Sequence, residues 1–137
     1  MIKELWINLP VKDVNRSRDF FTKIGFTLNA QYGNNDTSAS FLVGSKNIVL
    51  MLFEESMFRN FTANPLADPK QGTEVLFSID SQSREEVDEL ATTVSAAGGT
   101  VFSKPAESQG WMYGFGFMDP DGHRWNVLYM DMNKMPK

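Results

Sequence analysis

The chain has 137 residues, with 13 Lys+Arg against 17 Asp+Glu, a formal net charge of −4, one His and no Cys. One domain is the natural count, because a second independent core would be small and marginal at this length. Without Cys there is no disulfide framework, thiolate zinc site, iron–sulfur cluster or cysteine nucleophile, and with His123 alone no site can draw two imidazoles from one chain.

The acidic balance and the lack of any basic run argue against a surface that tracks nucleic-acid phosphates, and they disfavour anionic partners. The longest apolar run, residues 48–53, falls far short of the roughly 20 residues that span a bilayer. Met1-Ile2-Lys3-Glu4 carries no charged-then-apolar secretory pattern. The expectation is a soluble, cytoplasmic protein with neither a nucleic-acid nor a membrane partner.

Taken in chain order, Leu5, Ile7 and Leu9 alternate with Trp6 and Asn8, which predicts a strand ended by Pro10. Asp13 is placed to cap a helix whose Val14, Ser17, Phe20, Phe21 and Ile24 share a face, with Gly25 closing it. Strands are predicted at 26–32, 39–43 and 48–53, separated by the turn sequences Gly33-Asn34-Asn35-Asp36 and Gly44-Ser45-Lys46-Asn47. Residues 54–72, with Pro65 and Pro69, read as a linker holding one helical turn. Its Met57, Phe58 and Phe61 are candidates for a lid or a homodimer contact.

The pattern then begins again. A strand is predicted at 74–80, followed by the capping box Ser83-Arg84-Glu85-Glu86 and a helix with Val87, Leu90, Ala91 and Val94 on one face, stopped at Gly98-Gly99. Strands follow at 100–103, 111–118 and 124–130, with Asp119-Pro120-Asp121-Gly122 suited to a type I turn.

This order is βαβββ performed twice: module one 1–54, linker 55–72, module two 73–130 and a tail 131–137 within one α+β domain. Two such modules are most economically joined into one curved mixed sheet with a concave cleft. Strand alternation assigns Trp6 and Asn8 to the cleft face, and Glu74, Leu76 and Ser78 likewise, with Val75, Phe77 and Ile79 under the second helix. For the aromatic stripe Trp111, Tyr113, Phe115 and Phe117 the inward face stays open. It is core against a helix or a partner, or it walls a ligand cleft, or Gly114 and Gly116 on the opposite side leave room for a flat ligand. His123, just after a turn glycine, reads as a turn residue; a Ser-His-Asp triad would have to use it, and no nucleophile elbow is present.

These features resemble the vicinal-oxygen-chelate superfamily of glyoxalase I, bleomycin-resistance proteins and extradiol dioxygenases. The resemblance rests on the paired βαβββ order, on residues 8–14 (Asn-Leu-Pro-Val-Lys-Asp-Val) leading into Ser17-Arg18-Asp19-Phe20-Phe21, on Ile24-Gly25-Phe26, and on Asp119 to Trp125 before the last strand. It implies four metal-ligand positions, which fall here on Trp6, Met51, Glu74 and Asn126. Only Glu74 is a good ligand, because an indole N–H cannot coordinate, a thioether suits soft metals and an Asn offers only a neutral oxygen.

The expected function is therefore metal-independent binding of a small aromatic or cationic molecule, with no cofactor. Its pocket would combine Trp6, Met51, Phe53, Trp111 and Tyr113 with the polar anchors Asn8, Glu74 and Asn126. A buried Glu74 would have a raised pKa suited to a general base. The alternative is a divalent-metal-dependent lyase, isomerase or dioxygenase with atypical ligands centred on Glu74 as the catalytic residue. The resemblance further implies a homodimer.

Overall fold

The computed structural model describes residues 1–136, and the chain divides into two compact units, Met1–Asp68 and Pro69–Lys137. The first unit runs β1 (Trp6–Val11), α1 (Val14–Lys23), β2 (Thr27–Leu28), β3 (Ser38–Val43), β4 (Ile48–Glu54) and α2 (Glu55–Thr62). Its sheet has the order β1-β4-β3-β2, with β1 parallel to β4 and the other pairs antiparallel. Asp13 caps α1 by accepting from the Arg16 amide at 3.1 Å, as its position before the apolar face predicts. Alternation along β1 turns Leu9 and Val11 into the core with Leu50 and Leu52 of β4, Ala39 and Phe41 of β3, and Phe20 and Phe21 of α1. Trp6 and Asn8 are left on the open face.

Two predicted elements of this unit change. The strand expected over 26–32 shrinks to Thr27–Leu28, because asparagine side chains take over the edge of β3. Asn34 Oδ1 accepts from the Ser40 amide at 3.0 Å, Asn34 Nδ2 donates to the Asn29 carbonyl at 2.6 Å, and the buried Asn29 donates to Ser40 Oγ at 3.2 Å. Arg18 clamps the returning chain through the Asn35 and Ser38 carbonyls at 2.6 and 2.7 Å. With the ladder groups satisfied this way, no longer strand is required. The linker also contains more than one helical turn. α2 spans eight residues, capped by the Glu54 carboxylate, which accepts from the Ser56 amide at 3.1 Å and from the Ser56 hydroxyl. Those two bonds hold the exposed Glu54 carboxyl below its ordinary range.

The second unit runs β5 (Leu76–Asp80), α3 (Arg84–Ala97), β6 (Thr100–Ser108), β7 (Met112–Met118) and β8 (Arg124–Met130), in the sheet order β5-β8-β7-β6. Ser83 caps α3 by accepting from the Glu86 amide at 3.1 Å. The Glu86 carboxylate reaches back to the Gln82 amide at 2.7 Å and the Ser81 hydroxyl at 3.0 Å, one residue further than a simple capping box. Ser83→Ala is expected to cost about 1 kcal/mol, read as a lower urea midpoint at unchanged m-value.

Under α3, Val87, Ala91 and Val94 pack toward a core completed by Phe115, Phe117, Trp125 and Val127. β6 is longer than the predicted 100–103. Register shifts between Val101 and Ser103 and between Ser103 and Ala106 carry the strand past Pro105, which would otherwise end it. β5 starts at Leu76 rather than at residue 74, because its partner β8 begins at Arg124, opposite Leu76. Among the described residues no helix is long and apolar enough to cross a membrane.

Candidate functional site

The open face of the first unit is built by β1 and β4. Register sets Trp6 opposite Val49, Asn8 opposite Met51 and Pro10 opposite Phe53. α2 follows β4 directly and contacts both strands, so its aromatic residues return to this face. The Phe61 ring meets Phe53 edge-on, centroids 5.0 Å apart and planes at 80°. Asn8, Phe53, Phe58, Phe61 and Thr62 line a groove of about 400 Å³. The lining combines three aromatic walls with an amide and a hydroxyl, the usual composition of a small-molecule site. Among the described residues the Asn8 side-chain amide has no hydrogen-bond partner, which leaves its donors and acceptor for a guest. Phe61 is 64% exposed, so it stands at the rim of the groove.

Two of the eight expected pocket residues, Asn8 and Phe53, come together here. Phe58 and Phe61, candidates from sequence for a lid or a homodimer contact, join them, whereas Thr62 carries no sequence signal beyond its place one residue after Phe61. Trp6 shares the open face but is not part of the groove lining and is largely exposed. Met51 is covered rather than open. Gly33, with φ +88°, sits so close above β3 and β4 that a Cβ there would come within 2.7 Å of Ser40 Cβ and 3.1 Å of Met51 Cε. The segment after β2 therefore occupies the space in which a ligand was expected.

The other four expected residues belong to the second unit. Tyr113 lies on the helix-covered face: its hydroxyl donates to Asp88 of α3 at 2.7 Å, and the Arg84 guanidinium stands 4.9 Å over its ring. The bond to Asp88 raises the Tyr113 pKa by favouring the protonated phenol. Phe115 and Phe117 stack with centroids 5.8 Å apart, and Phe117 lies nearly parallel to Trp125 at 6.2 Å. The stripe is thus core beneath α3 and not a ligand wall. Trp111 precedes β7 at the end of this stripe, half-buried, and its backbone carbonyl accepts from the Asp131 amide at 2.8 Å. Nor do the glycines opposite leave a flat vacancy. Phe102 lies over Gly116, within 2.5 Å of where a Cβ would be, and the Leu128 side chain crowds Gly114.

Glu74 lies outside β5 and is exposed, so the burial on which a base role depended is absent. Asn126 does face the open side, paired with Ser78 on one flank and Gly116 on the other. The four implied metal positions therefore present an indole, a covered thioether, an exposed carboxylate and a neutral amide. That donor set does not fit a hard or borderline divalent ion.

The Asp119 to Gly122 turn forms as predicted, with the Gly122 amide donating to the Asp119 carbonyl at 3.0 Å. Its organising group is the buried Asp119 carboxylate. Oδ1 accepts from the Asp121 and His123 amides at 3.0 and 3.1 Å, and Oδ2 accepts from Trp125 Nε1 at 3.2 Å. Burial pushes this carboxyl above its ordinary pKa, against the pull of His123 and the three N–H donors. His123 is accordingly a turn residue whose backbone is tied down from both sides, since its carbonyl also accepts from the Asp119 amide.

Comparison with known proteins supplies the wider setting. A search of curated proteins finds no match. Among solved structures, a hypothetical protein from S. aureus is 35% identical over 93% of this chain and 94% of its own, with a TM-score of 0.82. A glyoxalase-related enzyme from Fulvimarina pelagi is 17% identical, covers 93% of this chain and 88% of its own, and has a TM-score of 0.79. The fosfomycin resistance protein FosX from Listeria monocytogenes is 24% identical over 97% of this chain and 98% of its own, with a TM-score of 0.68. These last two likenesses are of fold. The family model described as Glyoxalase/Bleomycin resistance protein/Dioxygenase superfamily matches residues 5–127, nearly the whole repeated βαβββ pattern, and the chain belongs to that superfamily.

Proposed function

We propose that the chain binds a small aromatic or cationic molecule, without a metal, in the phenylalanine-lined groove of its first unit. The observation that carries this reading is the convergence of Phe53, Phe58 and Phe61 on the unpartnered Asn8 amide. Three ring faces attract a flat apolar guest by stacking and a cationic one through their quadrupoles, each good contact being worth about 0.5–2 kcal/mol. Asn8 then orients the guest by a single directional bond. The poor donor chemistry at Trp6, Met51, Glu74 and Asn126 supports the metal-independent part of the proposal.

The test is fluorescence anisotropy with rhodamine 6G, ethidium and 2-naphthol in buffer containing EDTA. Saturable binding of at least one probe is expected, unchanged by the chelator and weakened about tenfold by Phe61→Ala, the factor that corresponds to losing one aromatic contact. No saturable binding of any probe, or binding that appears only on adding a divalent metal, would overturn the proposal.

A further inference from the structure

We propose that the open face of the second unit carries an oxyanion subsite, in which Arg124, seated on Phe102, takes a carboxylate or phosphate group beside Asn126 and Ser78. The chain as a whole is acidic at −4, and what sets Arg124 apart from its other cations is the aromatic seat of its guanidinium on the open sheet face. Among the described residues the Arg124 side chain makes no hydrogen bond or ion pair. Its guanidinium carbon lies 4.4 Å from the Phe102 ring centroid.

The seat is built rather than incidental. Phe102 can lie down on the sheet because Gly116 has no side chain at that point, so the ring of β6 becomes a platform that Arg124 reaches from β8 across β7. A guanidinium held over an aromatic face keeps its N–H edges outward, and its rotamer entropy is partly surrendered before any ligand arrives. That pre-organisation suits the two-pronged bonding of carboxylates and phosphates.

The neighbours supply complementary donors. Asn126 is two residues along β8 on the same face, about 7 Å from Arg124 by strand rise, and Ser78 sits directly across from it on β5. Among the described residues neither side chain has a hydrogen-bond partner. The acidic residues of this strand stand apart from the cradle. Asp80 is at the opposite end of β5, paired with Leu128 and accepting from Gln82 Nε2, and Glu74 precedes the strand with no ion pair to Arg124. Leu76 and Phe102, both substantially exposed, border the donors with apolar surface, so an acid with an apolar body fits better than a bare ion.

The subsite is built from residues of the second unit and the groove from residues of the first, and the experiment separates them. Arginine Nε–Hε and asparagine side-chain NH2 resonances are followed by NMR during titration with inorganic phosphate and, separately, benzoate, at ionic strength held constant with chloride, the Asn126 amide serving as the reporter in variants that lack Arg124. A saturable shift of the Arg124 signal is expected with at least one probe. Saturation by benzoate alone identifies a carboxylic acid as the guest, and saturation by phosphate alone a phosphate ester. Arg124→Gln is expected to raise the dissociation constant about tenfold or more, as loss of a charged hydrogen-bonding partner does, and Arg124→Lys by a smaller factor because an ammonium cannot fork. Phe61→Ala is expected to leave both titrations unchanged. The proposal is overturned if wild-type shifts fail to saturate, or if chloride reproduces them as an adventitious ion only. It is equally overturned if Arg124→Lys, which keeps the charge and the stem, binds as tightly as wild type while Arg124→Gln either does the same or fails to fold.

Discussion

Asp119→Ala is expected to lower the unfolding free energy by about 3 kcal/mol, the cost of stranding buried donors whose acceptor has been removed. Three N–H groups converge on this carboxylate: those of Asp121, His123 and the Trp125 indole. The two backbone amides lie at a turn and recover part of the loss from water, whereas Trp125, only 3% exposed, cannot. Urea denaturation monitored by tryptophan fluorescence should show a lower midpoint with little change in m-value. Asp119→Asn is the milder variant at about 1–2 kcal/mol, because one amide oxygen still serves the turn while the amide NH2 meets the indole donor head-on.

The same pair gives a pH experiment. Burial is the largest influence on Asp119 and raises its pKa above the value in the unfolded chain. The folded state then binds the proton more tightly. The associated stabilisation is fully present below the unfolded value of about 4 and is lost as pH rises through the folded pKa. Wild type minus Asp119→Asn stability should therefore decline as pH increases from about 4. A rise over the same interval would mean that the three donors outweigh desolvation and hold the carboxylate ionised.

Phe21→Ala is expected to cost more, about 3–5 kcal/mol, through lost burial and the cavity left behind. Phe21 has no exposed surface and is surrounded by other rings, with Phe20 and Phe26 at 5.1 Å and Phe41 at 5.9 Å between centroids. A cluster of rigid aromatics collapses poorly around a void, which places this site toward the upper end of the range. A fall in Tm of roughly 10–20 °C by calorimetry would match. Phe61→Ala is the informative contrast. With its ring at the rim of the groove, it should weaken ligand binding while shifting Tm far less, so the two substitutions separate a phenylalanine that holds the fold from one that serves the groove.

Helices α1 and α3 were the most legible elements because their signals are local. Asp13 and Ser83 caps, the apolar faces of α1 and α3, and the glycine at the end of each are written within a few residues. The same holds for β1, where only one set of alternate residues is apolar enough to be core. Strand ends were less legible, since they are decided by partners far along the chain. Residue 74 has strand-like neighbours but nothing opposite it on β8, and residues 29–32 leave the sheet because Asn29 and Asn34 complete the edge of β3 more economically.

The candidate site divides in the same way. Alternation established that Trp111, Tyr113, Phe115 and Phe117 share one face, but a period of two is unchanged when a strand is turned over. The glycines and methionines on the other face offered no polar contrast to break the tie. Only the docking of α3, with Asp88 and Arg84 against Tyr113, decided that this face is core. Likewise, Met57, Phe58 and Phe61 announced an apolar segment in polar surroundings, and the tertiary structure alone placed Phe58 and Phe61 beside Asn8 and Phe53.

Length, one His and no Cys still limited the chemistry from the outset, and the superfamily was readable from the repeated βαβββ pattern and the Asp119 turn. Composition counts the groups a chain owns, and periodicity says which of them share a face. Which of those faces is covered, and which side chains from distant segments meet there, is decided only when helices dock and strands pair.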